Sequence, residues 1–245
     1  MIKVCFATGT RADYGLLSGV MKKVDDHDQL ELQVVASCMH LVPEFGNTIG
    51  EIEADGFTVD EKDYMLVAGD GAVSVGKSIG LGVIGFIDAL SRLSPDVVVI
   101  LGDRFEALSA AQAALVLRSP IAHIHGGEVT EGALDESIRH AISKMSNLHF
   151  VSNESYRKRL IQMGELPDRV FVSGAPGIDN ILALDPMSKS ELEQSLEFEL
   201  GKKVFLVTYH PLTLRQSGQE LDVVYSMFEA LDEYKDVKII LTAPN

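Results

Sequence analysis

The sequence predicts an α/β protein built on a doubly wound parallel sheet, and three observations carry that prediction. Strand-like runs alternate with segments of helical period along the whole chain. Two of the runs, Val97-Val98-Val99-Ile100-Leu101 and Ile121-Ala122-His123-Ile124, are apolar almost without a break. An unbroken apolar run marks a strand buried on both faces, as in a parallel sheet flanked by helices. Both runs end in glycine followed by a charged residue, Gly102-Asp103-Arg104 and Gly126-Gly127-Glu128. Ligands of such sheets bind outside the carboxyl ends of the strands.

The elements follow in order. Residues 2–7 form a first strand, 14–24 a helix and 32–36 a strand; a long helix over 75–93 leads to the strand 97–101. Helices over 106–117, 134–145 and 154–163 then separate strands at 121–124, 149–151 and 170–172. Right-handed crossovers follow from parallel pairing. The polar stretch Asp185-Pro186-Met187-Ser188-Lys189-Ser190 suits a connector leading into a short helix. A new strand–helix–strand series occupies 204–207, 221–234 and 237–242. The expected division is a Rossmann-like domain over 1–184, a connector over 185–202, and the start of a second domain over 203–245.

Composition narrows the partners. Lys and Arg number 21 against 36 Asp and Glu, a formal charge of −15 with a pI near 4.8. That balance argues against nucleic acid or an anionic membrane surface. Cys5 and Cys38 sit in apolar strand contexts and read as core thiols in a reducing compartment. The opening residues read as a strand rather than a signal peptide. No apolar stretch reads as long and uninterrupted enough to span a bilayer. The expectation is a cytoplasmic protein.

Asp103, Glu128 and, one short loop later, Asp135 form a candidate acid/base set at the sheet's carboxyl edge. Two motifs compete with it. Gly71-Ala72-Val73-Ser74-Val75-Gly76-Lys77-Ser78 fits the P-loop pattern letter for letter, which would make the chain a magnesium-dependent nucleotidase or kinase. Against it, Val75, Ile79, Val83, Phe86, Ile87 and Leu90 already form one helical stripe, leaving no room for a loop. His123-Ile124-His125 places two imidazoles on one strand face, yet further metal ligands at suitable spacing are missing. The expectation is no metal. After the first strand, Gly9-Thr10-Arg11 lacks the G-x-G-x-x-G fingerprint, but an arginine at a helix N-terminus suits an anion. Tyr209-His210-Pro211 sets another histidine at a strand exit.

Together these stretches resemble the UDP-N-acetylglucosamine 2-epimerase family, in its hydrolysing branch from sialic and legionaminic acid biosynthesis. The resemblance runs through Gly9-Thr10-Arg11-Ala12-Asp13-Tyr14, Ile100-Leu101-Gly102-Asp103-Arg104, His123-Ile124-His125-Gly126-Gly127-Glu128, the segment 135–145 and His210-Pro211. It implies a glycosyltransferase-B-like fold of two Rossmann-like domains, with this chain carrying the first and the beginning of the second. It implies hydrolysis of UDP-N-acetylglucosamine to UDP and N-acetylmannosamine through a glycal intermediate, or the same chemistry on UDP-2,4-diacetamido-2,4,6-trideoxyglucose. Asp103, Glu128 and Asp135 become the catalytic carboxylates. Arg11, Arg104 and His210 meet the diphosphate, His40 and His125 the sugar or phosphate, and Asn245 the nucleotide. No cofactor and no metal are implied, and a homo-oligomer, dimer or tetramer, is. A binding module that holds sugar nucleotide without turnover is the remaining reading.

Overall fold

The computed structural model describes residues 1–69, 71–209 and 220–242. They fall into two compact units. Met1–Glu131 with Asp135–Ala183 makes the first, and Leu184 onward with Gly132–Leu134 the second.

The first unit is a seven-stranded parallel sheet. Its strands are β1 (Ile2–Thr8), β2 (Leu30–Ser37), β3 (Glu61–Asp63), β4 (Val97–Leu101), β5 (Ile121–Ile124), β6 (Leu148–Val151) and β7 (Val170–Val172), in the spatial order β3-β2-β1-β4-β5-β6-β7. The order reverses between β1 and β4, the doubly wound pattern. Alternation along β1 shows how both faces are used. Val4 and Phe6 pack toward α1 (Arg11–Asp25) and α2 (Ile49–Ala54), through Leu17, Met21 and Ile52. Cys5 and Ala7 pack on the opposite face with α3 (Ala72–Leu93), α4 (Phe105–Leu117) and α5 (Leu134–Met145), through Phe86, Ala110 and Ile142. Two layers of helix thus bury the sheet, which is why its strands read as unbroken apolar runs. Helices α6 (Glu154–Gln162) and α7 (Pro176–Ala183) complete the unit.

One alternative reading falls here and one sequence expectation is corrected. The P-loop reading fails because α3 begins at Ala72, so Lys77 and Ser78 lie within its first two turns. The Ser78 hydroxyl is buried, donating to the Ser74 carbonyl and accepting from the Val67 N–H, both at 2.9 Å. No open loop remains to wrap a phosphate. The same helix is, by length and composition, apolar enough to cross a membrane, contrary to expectation. Its Ser78, Gly82, Phe86, Ala89 and Leu90 are buried inside the fold, so one side of the helix serves the core.

Three elements have no counterpart in the sequence reading: β3, α2 and α7. β3 is polar because it is a short edge strand, where charge is tolerated. Its last residue, Asp63, is nonetheless buried at 6% exposure, and its Oδ2 has no hydrogen-bond partner among the described residues. It lies against α3 where Gly85 leaves room; a Cβ there would collide with the Asp63 carboxyl group. Burial pushes the Asp63 carboxyl up to about 7. The folded pKa lies above the unfolded value, so the native state holds the extra proton between about pH 4 and 7 and loses stability as pH rises across that window. Asp63→Asn is expected to flatten that slope. Urea midpoints of variant and wild type should diverge in the variant's favour at about pH 8, and an unchanged slope would remove Asp63 as its source.

The second unit is a βαβ segment. β8 (Val204–Thr208) and β9 (Lys238–Thr242) pair in parallel and flank α9 (Glu220–Asp232) in the chain. Before them α8 (Lys189–Leu196) starts at a capping box, in which Ser188 accepts from the Glu191 N–H and Glu191 from the Ser188 N–H.

Candidate active site

The loops after β1, β4 and β5 converge at the carboxyl edge of the first unit's sheet. β4 exits through Gly102, whose φ of +76° suits a residue without a Cβ. Gly102 is pinned twice, its N–H donating to the Ile124 carbonyl (3.0 Å) and its carbonyl meeting His123 Nε2 (2.7 Å). A carbonyl only accepts, so Nε2 carries the proton. His123 is fully buried, and burial pushes its pKa down to about 3. It is a neutral strut under the residue that precedes Asp103. Both His123 nitrogens are thus engaged inside the fold, with Gly102 and with Ser143. Among the described residues no three His, Cys, Asp or Glu side chains are grouped to hold a metal.

β5 exits through His125-Gly126-Gly127. Gly127 has φ +73°, and a Cβ there would come within 2.8 Å of the Tyr156 carbonyl. Glu128 follows. Its Oε1 accepts from the Ser152 hydroxyl (2.9 Å) and lies 2.6 Å from His125 Nδ1. The residue that joins the two acids is Arg139 on α5. Its Nη2 donates to Asp103 and to Thr130 Oγ1 (3.2 Å), while Nη1 donates to the His125 carbonyl (2.9 Å) and lies 3.5 Å from Glu128 Oε2. Asp135 stands one helical turn before Arg139, on the same side of α5.

The environment separates the carboxylates electrostatically. Burial raises the pKa of Asp103, with Asp135 and Glu128 adding to the rise and Arg139 and Arg104 opposing it. Burial acts on Glu128 in the same sense, but His125, Ser152 and Arg139 together hold it below the usual carboxylate value. Two acids pushed in opposite directions across one arginine can take different roles in proton transfer.

The remaining predicted residues divide. Arg11 is exposed at the first position of α1, after a capping box between Thr10 and Asp13. Arg104 precedes α4, paired with the buried Glu106, its Nη2 3.7 Å from Met39 Sδ and its guanidinium 5.9 Å from the Phe105 ring centre. Met39 and Phe105 also line a cavity of about 530 Å³ with Val42, Leu66, Val67 and Val75. His40 departs from its expected role. It is fully buried, with Nε2 on Thr8 Oγ1 (3.0 Å) and Nδ1 on Thr48 Oγ1 (2.7 Å), so both nitrogens are spent inside the fold. His210 and Asn245 lie outside the described residues. Sequence reasoning assigned no role to Arg139, Ser152 or Glu106. The placement of Arg139 four residues after Asp135 on a helix was the available signal.

The chain is 43% identical over 243 residues to the GDP/UDP-N,N'-diacetylbacillosamine 2-epimerase (hydrolyzing) of Campylobacter jejuni, covering 99% of this chain and 63% of that protein. It is 39% identical over 246 residues to the UDP-N,N'-diacetylbacillosamine 2-epimerase (hydrolyzing) of Legionella pneumophila, covering 99% of this chain and 64% of that one. The chain thus spans less than two thirds of the length of these relatives. The crystal structure of UDP-GlcNAc 2-epimerase from Neisseria meningitidis bound to UDP-GlcNAc superposes with a TM-score of 0.81 at 19% identity, over 98% of this chain and 65% of that one. The fold is therefore the glycosyltransferase-B-like Rossmann architecture that the resemblance implied. The family model described as UDP-N-acetylglucosamine 2-epimerase matches residues 22–245, a span that takes in the Asp103–Arg139–Glu128 bridge, and the chain belongs to that family.

Proposed function

We propose that the protein is a hydrolysing UDP-sugar 2-epimerase whose sugar is a 2,4-diacetamido-2,4,6-trideoxyhexose. The observation that carries the reaction class is the bridge from Asp103 through Arg139 to Glu128, with Asp135 on the next turn. Epimerisation at an acetamido carbon needs a base for a weakly acidic C–H, a donor on the opposite face and a base for water. Asp103, whose proton affinity is raised, takes the C2 proton as UDP leaves the anomeric carbon. Asp135 returns a proton from the other face, and Glu128, held ionised beside His125, supports the addition of water. Arg11 and Arg104 face the departing diphosphate with positive charge, a role shared with His210, while Asn245 meets the nucleotide. The net reaction moves no electrons to or from the protein, so no redox cofactor takes part.

The sugar assignment draws on the two relatives named for diacetylbacillosamine and on the cavity beside Phe105. A 6-methyl group is less polar than the hydroxyl it replaces and a second acetamido group adds a methyl, and that cavity is lined mainly by apolar side chains. UDP-N-acetylglucosamine, giving N-acetylmannosamine, is the second reading and is favoured by the family name. Residues 1–184 act as the acid-bearing domain and residues from 203 on as the start of the nucleotide-binding one, in a homo-oligomer. UDP release from each sugar nucleotide in metal-free buffer, with the sugar identified by NMR, tests the reading. Turnover of the diacetamido substrate at a higher kcat/KM supports it, and no UDP from either overturns it. Lys77→Ala, an exposed change on α3, is expected to leave UDP release unchanged.

A further inference from the structure

His125 is held in a conformation that ordinary side chains avoid. Its φ is +64°, in the left-handed region that a non-glycine residue adopts only where the surroundings impose it. Here they do. The His125 N–H donates to the Phe150 carbonyl at 3.0 Å, and its own carbonyl accepts from Arg139 Nη1 at 2.9 Å. The ring is fixed as well, with Nδ1 2.6 Å from Glu128 Oε1. An ionised carboxylate only accepts, so Nδ1 carries a proton, and in the neutral ring Nε2 carries the lone pair. Nε2 has no hydrogen-bond partner among the described residues and is not among their buried unpartnered atoms. The strained turn therefore holds a ring whose Nδ1 is engaged by Glu128 and whose Nε2 is left without a partner among the described residues, on a residue whose carbonyl is bound by Arg139, the ion-pair partner of Asp103. The same division of labour between acid, imidazole and nucleophile recurs on unrelated folds.

We propose that His125 Nε2 is the base that deprotonates the water added to the unsaturated sugar, and that Glu128 acts through it as a positioning residue. The proposal rests on the 2-epimerase reading above. In that step the water oxygen bonds to the anomeric carbon and one water proton passes to Nε2. The electrons of the C1–C2 double bond take a proton at C2 from Asp135. The imidazolium formed is stabilised by Glu128 and then releases its proton to solvent, as Asp103 does the proton taken from C2, and solvent reprotonates Asp135, so atoms and charge balance without a further reactant. Elimination of UDP precedes this step and does not use His125.

The test compares UDP and free sugar formed by wild type, His125→Gln and Glu128→Gln in the full protein, with sugars quantified by NMR. Gln at 125 can still donate to Glu128 but cannot take up a proton. The expected result is that His125→Gln continues to release UDP while free 2-epimer per UDP falls at least tenfold, the unsaturated sugar making up the difference. Glu128→Gln shows the same shift, and the double variant is no worse than His125→Gln alone, because the two act as one unit. One 2-epimer per UDP in His125→Gln overturns the proposal. So does an equal fall of both products, which marks a structural role. If wild type releases no UDP, it is the 2-epimerase reading itself that fails.

Discussion

Asp103→Asn should lower turnover by about 10³-fold while the protein melts within a few degrees of wild type. Asparagine keeps the shape of the side chain and one acceptor for Arg139, so the loop after β4 stays anchored by Gly102 and His123. What is lost is the carboxylate at the sheet edge whose proton affinity is raised by burial and by two neighbouring acids together. A carbon acid as weak as the acetamido carbon requires that group. The loss should fall on kcat rather than KM, since Asp103 acts on the proton in flight and not on the nucleotide. Steady-state UDP release read beside a melting curve checks both halves. Retention of more than a tenth of wild-type kcat would assign the C2 proton to another residue.

Arg139→Met removes the side chain that joins the acids and should cost about 3 kcal/mol of stability, with activity lost as well. Arg139 is largely buried, and its removal leaves Asp103 without its ion-pair partner and the His125 carbonyl without its donor. Two carboxylates would then face one another across the gap with Asp135 close by. Lysine at this position should restore only part of the loss, because a point charge cannot span Asp103, Thr130, Glu128 and a backbone carbonyl at once. Urea denaturation of wild type, Arg139→Lys and Arg139→Met at neutral pH measures that order. Equal stability of wild type and Arg139→Met would show that the bridge carries no net stabilisation.

The sheet was legible because its central strands are apolar on both faces; β4 and β5 announce themselves in Val97–Leu101 and Ile121–Ile124. The glycines at their exits marked the site for the same reason, since a turn that needs positive φ shows in the sequence. β3 escaped notice because an edge strand of Glu61, Lys62 and Asp63 has no apolar signature. α2 and α7 are short, and six or eight residues carry too few turns for a helical period to emerge. Asp103, Glu128 and Asp135 were readable from position. The bridging arginine was not, because its value lies in reaching two loops far apart in sequence. His40 misled for the opposite reason. The resemblance assigned it to the sugar or phosphate, and only packing reveals that Thr8 and Thr48 consume both nitrogens.

The neutral histidine beneath Gly102 gives the fold an acid fuse. An unfolded chain takes up a proton on such an imidazole near pH 6.5, whereas His123 in the folded state resists until about pH 3. Between those values the unfolded state binds the extra proton, so stability drains as pH falls through that interval. The cost is not spread over the molecule: protonated, His123 must offer a donor from each nitrogen inside a fully buried site, at a place that helps hold the Asp103 loop in register. Acid damage should therefore begin at the carboxyl edge of β4 and β5 and precede loss of the sheet.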